Sequence, residues 1–160
     1  MRHTISVWVR NEFGVLSRVV GMFSGRGYNI DSLNVAPTLE ETVSHITITT
    51  HGDDETIEQI TKQLHKLIDV ITVKHHAVGQ FVARDHALLT VEPPAEARAE
   101  VLRVTEIFRG KIVDVGPKSF VIEVTGNPHK IDAMARLLDP LGLKHLVRTG
   151  ALAAERRSIR

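Results

Sequence analysis

Ile5, Val7 and Val9 alternate with Ser6, Trp8 and Arg10 near the start of the chain. A period of two predicts a β-strand with one face buried. The alternation stops at Asn11-Glu12-Phe13-Gly14, after which Leu16, Val19, Val20 and Phe23 recur at helical spacing as far as Gly25-Arg26-Gly27. This predicts a helix over residues 15–25. Strand-like runs follow over 29–36 and 42–50, joined through Pro37-Thr38-Leu39-Glu40-Glu41, a length that suits an antiparallel hairpin with Pro at its edge. Asp53, Asp54 and Glu55 then stand where a helix N-terminus favours negative charge, and Lys62, His65 and Lys66 lie near its C-terminal end. Ile57, Ile60, Leu64, Leu67 and Ile68 form the apolar stripe of that second helix, and residues 70–74 read as a fourth strand. Strand, helix, strand, strand, helix, strand is the split βαβ, or ferredoxin-like, order: an antiparallel sheet with two helices on one face.

The order repeats after His76. Residues 87–91 predict a strand, and Pro93-Pro94 opens a helix carrying Val101, Val104 and Phe108 that ends at Gly110. Residues 112–115 and 120–124 flank the turn signal Gly116-Pro117-Lys118. Asn127-Pro128 supplies an N-cap with Pro at the first helical position, ahead of the stripe Ile131, Met134 and Leu138. A strand over 143–147 closes the unit. An isoleucine follows the hairpin's terminal glycine by the same interval in both halves, Gly52 to Ile57 and Gly126 to Ile131, as a structural repeat requires. The expected class is therefore α+β, with two ferredoxin-like βαββαβ domains: residues 1–78, and residues 79–160 ending in a short basic tail of Arg156, Arg157 and Arg160.

Composition narrows the function. The chain is 42% apolar and 24% charged, with 20 Lys+Arg against 19 Asp+Glu and 4% aromatics. These are the proportions of a globular protein with neither the basic footprint nor the stacking platforms of a nucleic-acid binder. There is no cysteine, hence no disulfide, thiolate metal site or cysteine nucleophile. No basic leader precedes an apolar run, and no run reaches membrane-spanning length, so the expected address is cytoplasmic.

Catalytic motifs are missing: there is no G-x-S-x-G, H-E-x-x-H or G-x-x-x-x-G-K-[ST], and Gly21, Gly25 and Gly27 close a helix where a phosphate loop would open one. His75, His76 and His86 invite a metal reading. Adjacent residues on a strand point to opposite faces, however, and no carboxylate spacing supports the three, so no metal site is expected. Glu40-Glu41 and Asp53-Asp54-Glu55 are best read as a solvated turn and a helix start.

The segment from Arg10 to Leu16 is the most informative. A free helix N-terminus presents unpaired N–H groups and a positive dipole end, so it can hold a carboxylate, and Gly14 allows close approach to that backbone. The Asn29 side chain could accept from an ammonium group and donate to a carboxylate. Together these suit an amino acid. The plainer alternative is that Gly14 completes a turn, Asn11 caps it and Asn29 ends a connection.

The run Asn11-Glu12-Phe13-Gly14-Val15-Leu16-Ser17-Arg18-Val19, with Phe23-Ser24, Arg26-Gly27-Tyr28-Asn29-Ile30 and Val35-Ala36-Pro37-Thr38, resembles the regulatory small subunit of acetohydroxyacid (acetolactate) synthase. The likeness continues through residues 63–70 and 105–114. It implies that the first domain is an ACT domain, a ferredoxin-like module that binds small effectors. It also implies a homodimer of two ACT domains side by side, with valine at their interface. Carried over by position, Asn11, Gly14, Val15 and Leu16 come from one subunit, and Asn29 and Ile30 from the other. Phe13 departs from the smaller residue of the family's loop, and residues 78–98 match poorly. The resemblance assigns catalysis to a separate large subunit holding thiamine diphosphate, Mg²⁺ and FAD. This chain is expected to carry no cofactor and no catalytic residue, to activate that subunit, and to confer feedback inhibition by valine in branched-chain amino-acid biosynthesis. Two other readings stand beside it: a free-standing amino-acid sensor, and a small hydrolase of the acylphosphatase type whose anion site would use Arg10 and Asn11.

Overall fold

A computed structural model describes residues 1–156; Arg157 and Arg160 of the expected basic tail lie outside the described residues. The chain divides into two compact units. One comprises residues 1–82 together with the described residues from Ala151 onward, and the other Ala83–Gly150. The division falls a few residues beyond the one read from the sequence, and the last described residues return to the first unit.

The first unit contains β1 (Arg2–Arg10), α1 (Val15–Gly25), β2 (Ser32–Pro37), β3 (Val43–His51), α2 (Asp54–Leu64) and β4 (Val70–His76). Its antiparallel strands lie in the order β2-β3-β1-β4, the ferredoxin-like arrangement. Register sets Ile5 opposite Ile48 and Val7 opposite Ile46. Those residues and Val9 meet Val15, Val19 and Phe23 of α1 and Ile57, Ile60 and Leu64 of α2 in one apolar core. The alternation in β1 and most of the helical spacing bury their apolar positions together, with two corrections: Leu16 is exposed and Val15 takes its place in the core, and α2 ends at Leu64, so Leu67 and Ile68 lie beyond it and Ile68 is exposed.

The other face of this sheet departs from the expectation for β1. Ser6 is fully buried and Thr47 is 1% exposed, so β1 is covered on both faces. The cover is a strand that the sequence reading did not foresee, β9 (Leu152–Glu155). Asn34 Nδ2 donates to Ala151 O at 3.2 Å, Lys74 pairs with Glu155, and Arg156 N–H donates to Gln80 O at 3.0 Å.

The second unit repeats the order with β5 (Phe81–Val91), α3 (Arg98–Ile107), β6 (Lys111–Val115), β7 (Phe120–Gly126), α4 (Pro128–Leu138) and β8 (Leu143–Arg148). Its sheet runs β6-β7-β5-β8, and β9 pairs with β5, whose first two residues belong to the first unit. Leu89, Val91, Ile122 and Val124 pack against Val101 and Val104 of α3 and Ile131, Met134 and Leu138 of α4. Asn127 caps α4 as predicted, its side chain accepting from Lys130 N at 2.8 Å. At φ +102°, Gly142 brings its backbone against Glu92, where a Cβ would stand 2.4 Å from the Glu92 carbonyl oxygen. Asp85 has a fully buried side chain and accepts from Arg148 Nε at 2.7 Å, while Arg148 Nη1 reaches Asp132 at 2.6 Å.

β2 starts at Ser32 and not at Asn29, because the Asn29 carbonyl turns to accept from Thr50 Oγ1 at 2.6 Å and pairing begins with Asp31 N–H on Thr49 O. β5 starts six residues before the predicted run, beyond a turn at Gly79 (φ +83°). Among the described residues, no helix is long and apolar enough to cross a membrane.

Candidate functional site

The loop joining β1 to α1 is fixed at both ends by backbone bonds. Arg10 N–H donates to Asp69 O at 2.9 Å and Asn11 N–H to Thr42 O at 2.7 Å. Asn11 also commits its side-chain amide to Glu41 O at 2.9 Å, so its remaining acceptor is the carbamoyl oxygen.

Gly14 occupies the N-cap of α1 in the left-handed region, at φ +81°, and no side chain caps the helix. In the same unit, α2 is capped by Asp53, whose carboxylate accepts from Thr56 N at 2.8 Å. The head of α1 therefore keeps first-turn N–H groups without a side-chain acceptor, and no acidic residue stands in that turn. This is the arrangement that receives an anion.

Arg18 strengthens it. Its Nη1 lies 3.2 Å from where a Cβ on Gly14 would be, and its Nε donates to Asp69 Oδ2 at 2.6 Å. Asp69 is 5% exposed, so the pair fixes the guanidinium beside the loop. The sequence reading passed over both residues. The signal for Arg18 was its place four residues after Gly14, one helical turn along the same face.

The six predicted effector residues fall into two groups. Asn11, Gly14, Val15 and Leu16 share the β1–α1 loop, where Leu16 is exposed and Val15 is a core residue that can offer a ligand only its backbone. Asn29 and Ile30 precede β2. Asn29 is exposed with Nδ2 on Asp31 Oδ1 at 2.9 Å, and Ile30 packs partly against the core. Ser32 registers with Thr49, and Thr49 with Thr4 of β1. Asn29 therefore lies at the opposite end of the sheet from Arg10 and the loop. Six residues of strand, at about 3.3 Å each, separate the ends by roughly 20 Å. A single copy of the chain does not bring the two groups to one small ligand.

Phe13 is fully exposed beside Gly14. Of the three histidines of the metal reading, His75 and His76 point to opposite faces of β4. His76 Nε2 bonds Ser6 Oγ at 2.8 Å on one face of β4, whereas His75 Nε2 approaches His3 Nδ1 at 3.1 Å on the other. His86 bonds Thr125 in the second unit at 2.9 Å. The described residues contain no group of three or more side chains placed to hold a metal ion.

Comparison with known proteins gives concordant relationships. Residues 5–72 match the profile of the acetohydroxyacid synthase small subunit-like ACT domain, and residues 84–157 that of the small subunit of acetolactate synthase. The chain is 50% identical over 156 residues to the acetolactate synthase small subunit of Aquifex aeolicus, covering 97% of this chain and 81% of that one. It is 45% identical over 157 residues to the isozyme 3 small subunit of Escherichia coli, covering 98% and 96%. The crystal structure of the acetolactate synthase small subunit from Thermotoga maritima superposes with a TM-score of 0.90 at 37% identity, over 99% of both chains.

Proposed function

Since this chain belongs to the acetolactate synthase small-subunit family and carries its ACT domain, we propose that it activates the catalytic large subunit and makes it sensitive to valine. In this reading two copies pair through their first units. The head of α1 in one copy receives the valine carboxylate on backbone N–H groups, with Arg18 adding positive charge. Asn29 and Ile30 of the other copy complete the site, the Asn29 amide meeting the polar end of the ligand and Ile30 its side chain.

The observation that carries the proposal is the roughly 20 Å between the two groups along one sheet. They can share a ligand only if they come from different chains. β2 is also an edge strand with an unpaired side, which suits side-by-side pairing of two copies. Thiamine diphosphate, Mg²⁺ and FAD belong, in this reading, to the large subunit, and the setting is the cytoplasmic synthesis of branched-chain amino acids.

Valine regulates by binding one arrangement of the assembly better than another, a coupling of about 1–3 kcal/mol in typical cases. Acetolactate formation measured with each subunit alone, then mixed, then mixed with valine, is the test. Stimulation on mixing and its reversal by valine are expected. An unchanged rate on mixing two folded proteins would overturn the reading.

A further inference from the structure

The polar face of the first sheet, beneath β9, holds a cleft of about 500 Å³. Its floor is Ser6 and Trp8 of β1, His45 of β3, and Lys74 and His76 of β4, and Glu155 of β9 closes one side. This is remote from the α1 loop, because these side chains stand on the sheet face opposite the helices.

We propose that this cleft binds a short-chain monocarboxylate, whose carboxylate takes the position on Lys74 that Glu155 holds and whose apolar stem lies against Trp8, Ala36 and Ala154.

Four observations converge. Lys74 already holds a carboxylate here, that of Glu155, so the cleft accommodates the pairing; the two side chains are 41% and 54% exposed, and so open a pair contributes little. Trp8 and His45 stack with ring centroids 4.7 Å apart and add an indole N–H and an imidazole that have no hydrogen-bond partner among the described residues. Burial pushes the His45 and His76 imidazoles below the ordinary histidine value. At neutral pH this leaves Lys74 as the cation among the described residues that line the cleft, balanced by Glu155 until a ligand carboxylate takes that place. In an adjoining hollow of about 100 Å³, lined in part by Ala36, His45 and Leu152, Thr47 is 1% exposed and its Oγ1 has no partner. An orphaned buried hydroxyl beside such a cleft is the kind of group a ligand or its water satisfies. Pro37 and Ala153 complete apolar walls of a size for a few carbons.

Binding and closure of β9 are therefore competitive, because the ligand displaces the chain's own carboxylate. Trp8 is the chain's single tryptophan and reports directly on the cleft. The test is a fluorescence titration of the full chain with isobutyrate, with isobutyramide as the uncharged twin and inorganic phosphate as a charge without a stem. Valine and the large subunit are absent, so the result is independent of the proposed regulatory function. Repeating the titration in Gly14→Asp, which is expected to leave the signal intact, separates this cleft from the loop. Isobutyrate should saturate the signal and the other two should not. Glu155→Gln should tighten binding several-fold by weakening the competitor. Lys74→Met should weaken binding about tenfold or more, and Lys74→Arg should restore it. Equal responses to isobutyrate and isobutyramide, no saturation in wild type and Glu155→Gln alike, or an affinity indifferent to residue 155 would each overturn the proposal.

Discussion

Substituting Gly14 separates backbone strain from charge at the head of α1. With φ at +81°, any L-residue there is strained, by about 1–2 kcal/mol for alanine. The added Cβ meets only the Arg18 Nη1 at 3.2 Å, the free end of a long side chain that can move aside. In a domain of this size a loss of about 1 kcal/mol lowers Tm by roughly 4–8 °C, so Gly14→Ala should remain folded with a lowered midpoint. Gly14→Asp carries less strain, because aspartate tolerates the left-handed region better than alanine, and it gains the Arg18 guanidinium and the helix dipole. It should therefore be at least as stable as Gly14→Ala. Its carboxylate would nevertheless stand where the valine carboxylate is proposed to bind. Two like charges about 4 Å apart repel by roughly 1–4 kcal/mol between bulk water and a protein surface, which is about fivefold to several hundredfold in affinity. Calorimetric titration with valine should give near wild-type affinity for Gly14→Ala and a loss of at least about tenfold for Gly14→Asp. Equal affinities in the two variants would refute the charge argument, and a much lower midpoint for Gly14→Asp than for Gly14→Ala would refute the strain argument.

Two further outcomes rest on buried charge. Burial lowers the pKa of His45, His75 and His76, with His3 adding to the effect at His75 and Lys74 at His76. The unfolded chain then binds more protons than the folded one, so stability is fully present above about pH 6.5 and falls as the pH drops through that value toward the lowered folded-state pKa values. Urea midpoints at pH 8 and pH 5.5 should show the loss, and a chain as stable or more stable in acid would contradict it. In the second unit, Arg148→Met strands the fully buried Asp85 carboxylate and should cost about 3–5 kcal/mol. The double change Arg148→Met with Asp85→Asn should recover part of it, as a denaturation series on the full chain will determine.

The Asn127 cap and the alternation at Ile5, Val7 and Val9 were legible because each is local: a period or a spacing along a few residues decides them. β9 was not, since Leu152-Ala153-Ala154-Glu155 has neither alternation nor β-branched residues. Its place is set by partners distant in sequence, Asn34, Lys74 and Gln80. The same limit applies at the candidate site. Gly14 and an uncapped α1 could be read from the loop, whereas the Arg18–Asp69 pair joins residues fifty-one apart in the chain. The separation of Asn29 from Gly14 emerged only when register placed Ser32 and Thr49 beside Thr4. The strand order of both units followed from the order of the elements; the burial of Ser6 did not, because alternation identifies the apolar face and is silent about what covers the polar one.

The first unit is assembled from two stretches of sequence with all of residues 83–150 between them, and this bears on how it is made. On the ribosome, β1 to β4 are synthesised before the strand that covers them. At about 5–20 residues per second, the sheet waits several seconds for residues 151–156. A bare face of valine and isoleucine would spend that interval as a sticky surface on a nascent chain. Ser6, Thr47 and Thr49 present hydroxyls instead, and two of these are bonded within the first stretch itself, Ser6 to His76 and Thr49 to Ser32. The polarity of a face that ends up buried thus leaves less apolar surface on the growing chain before its cover is made.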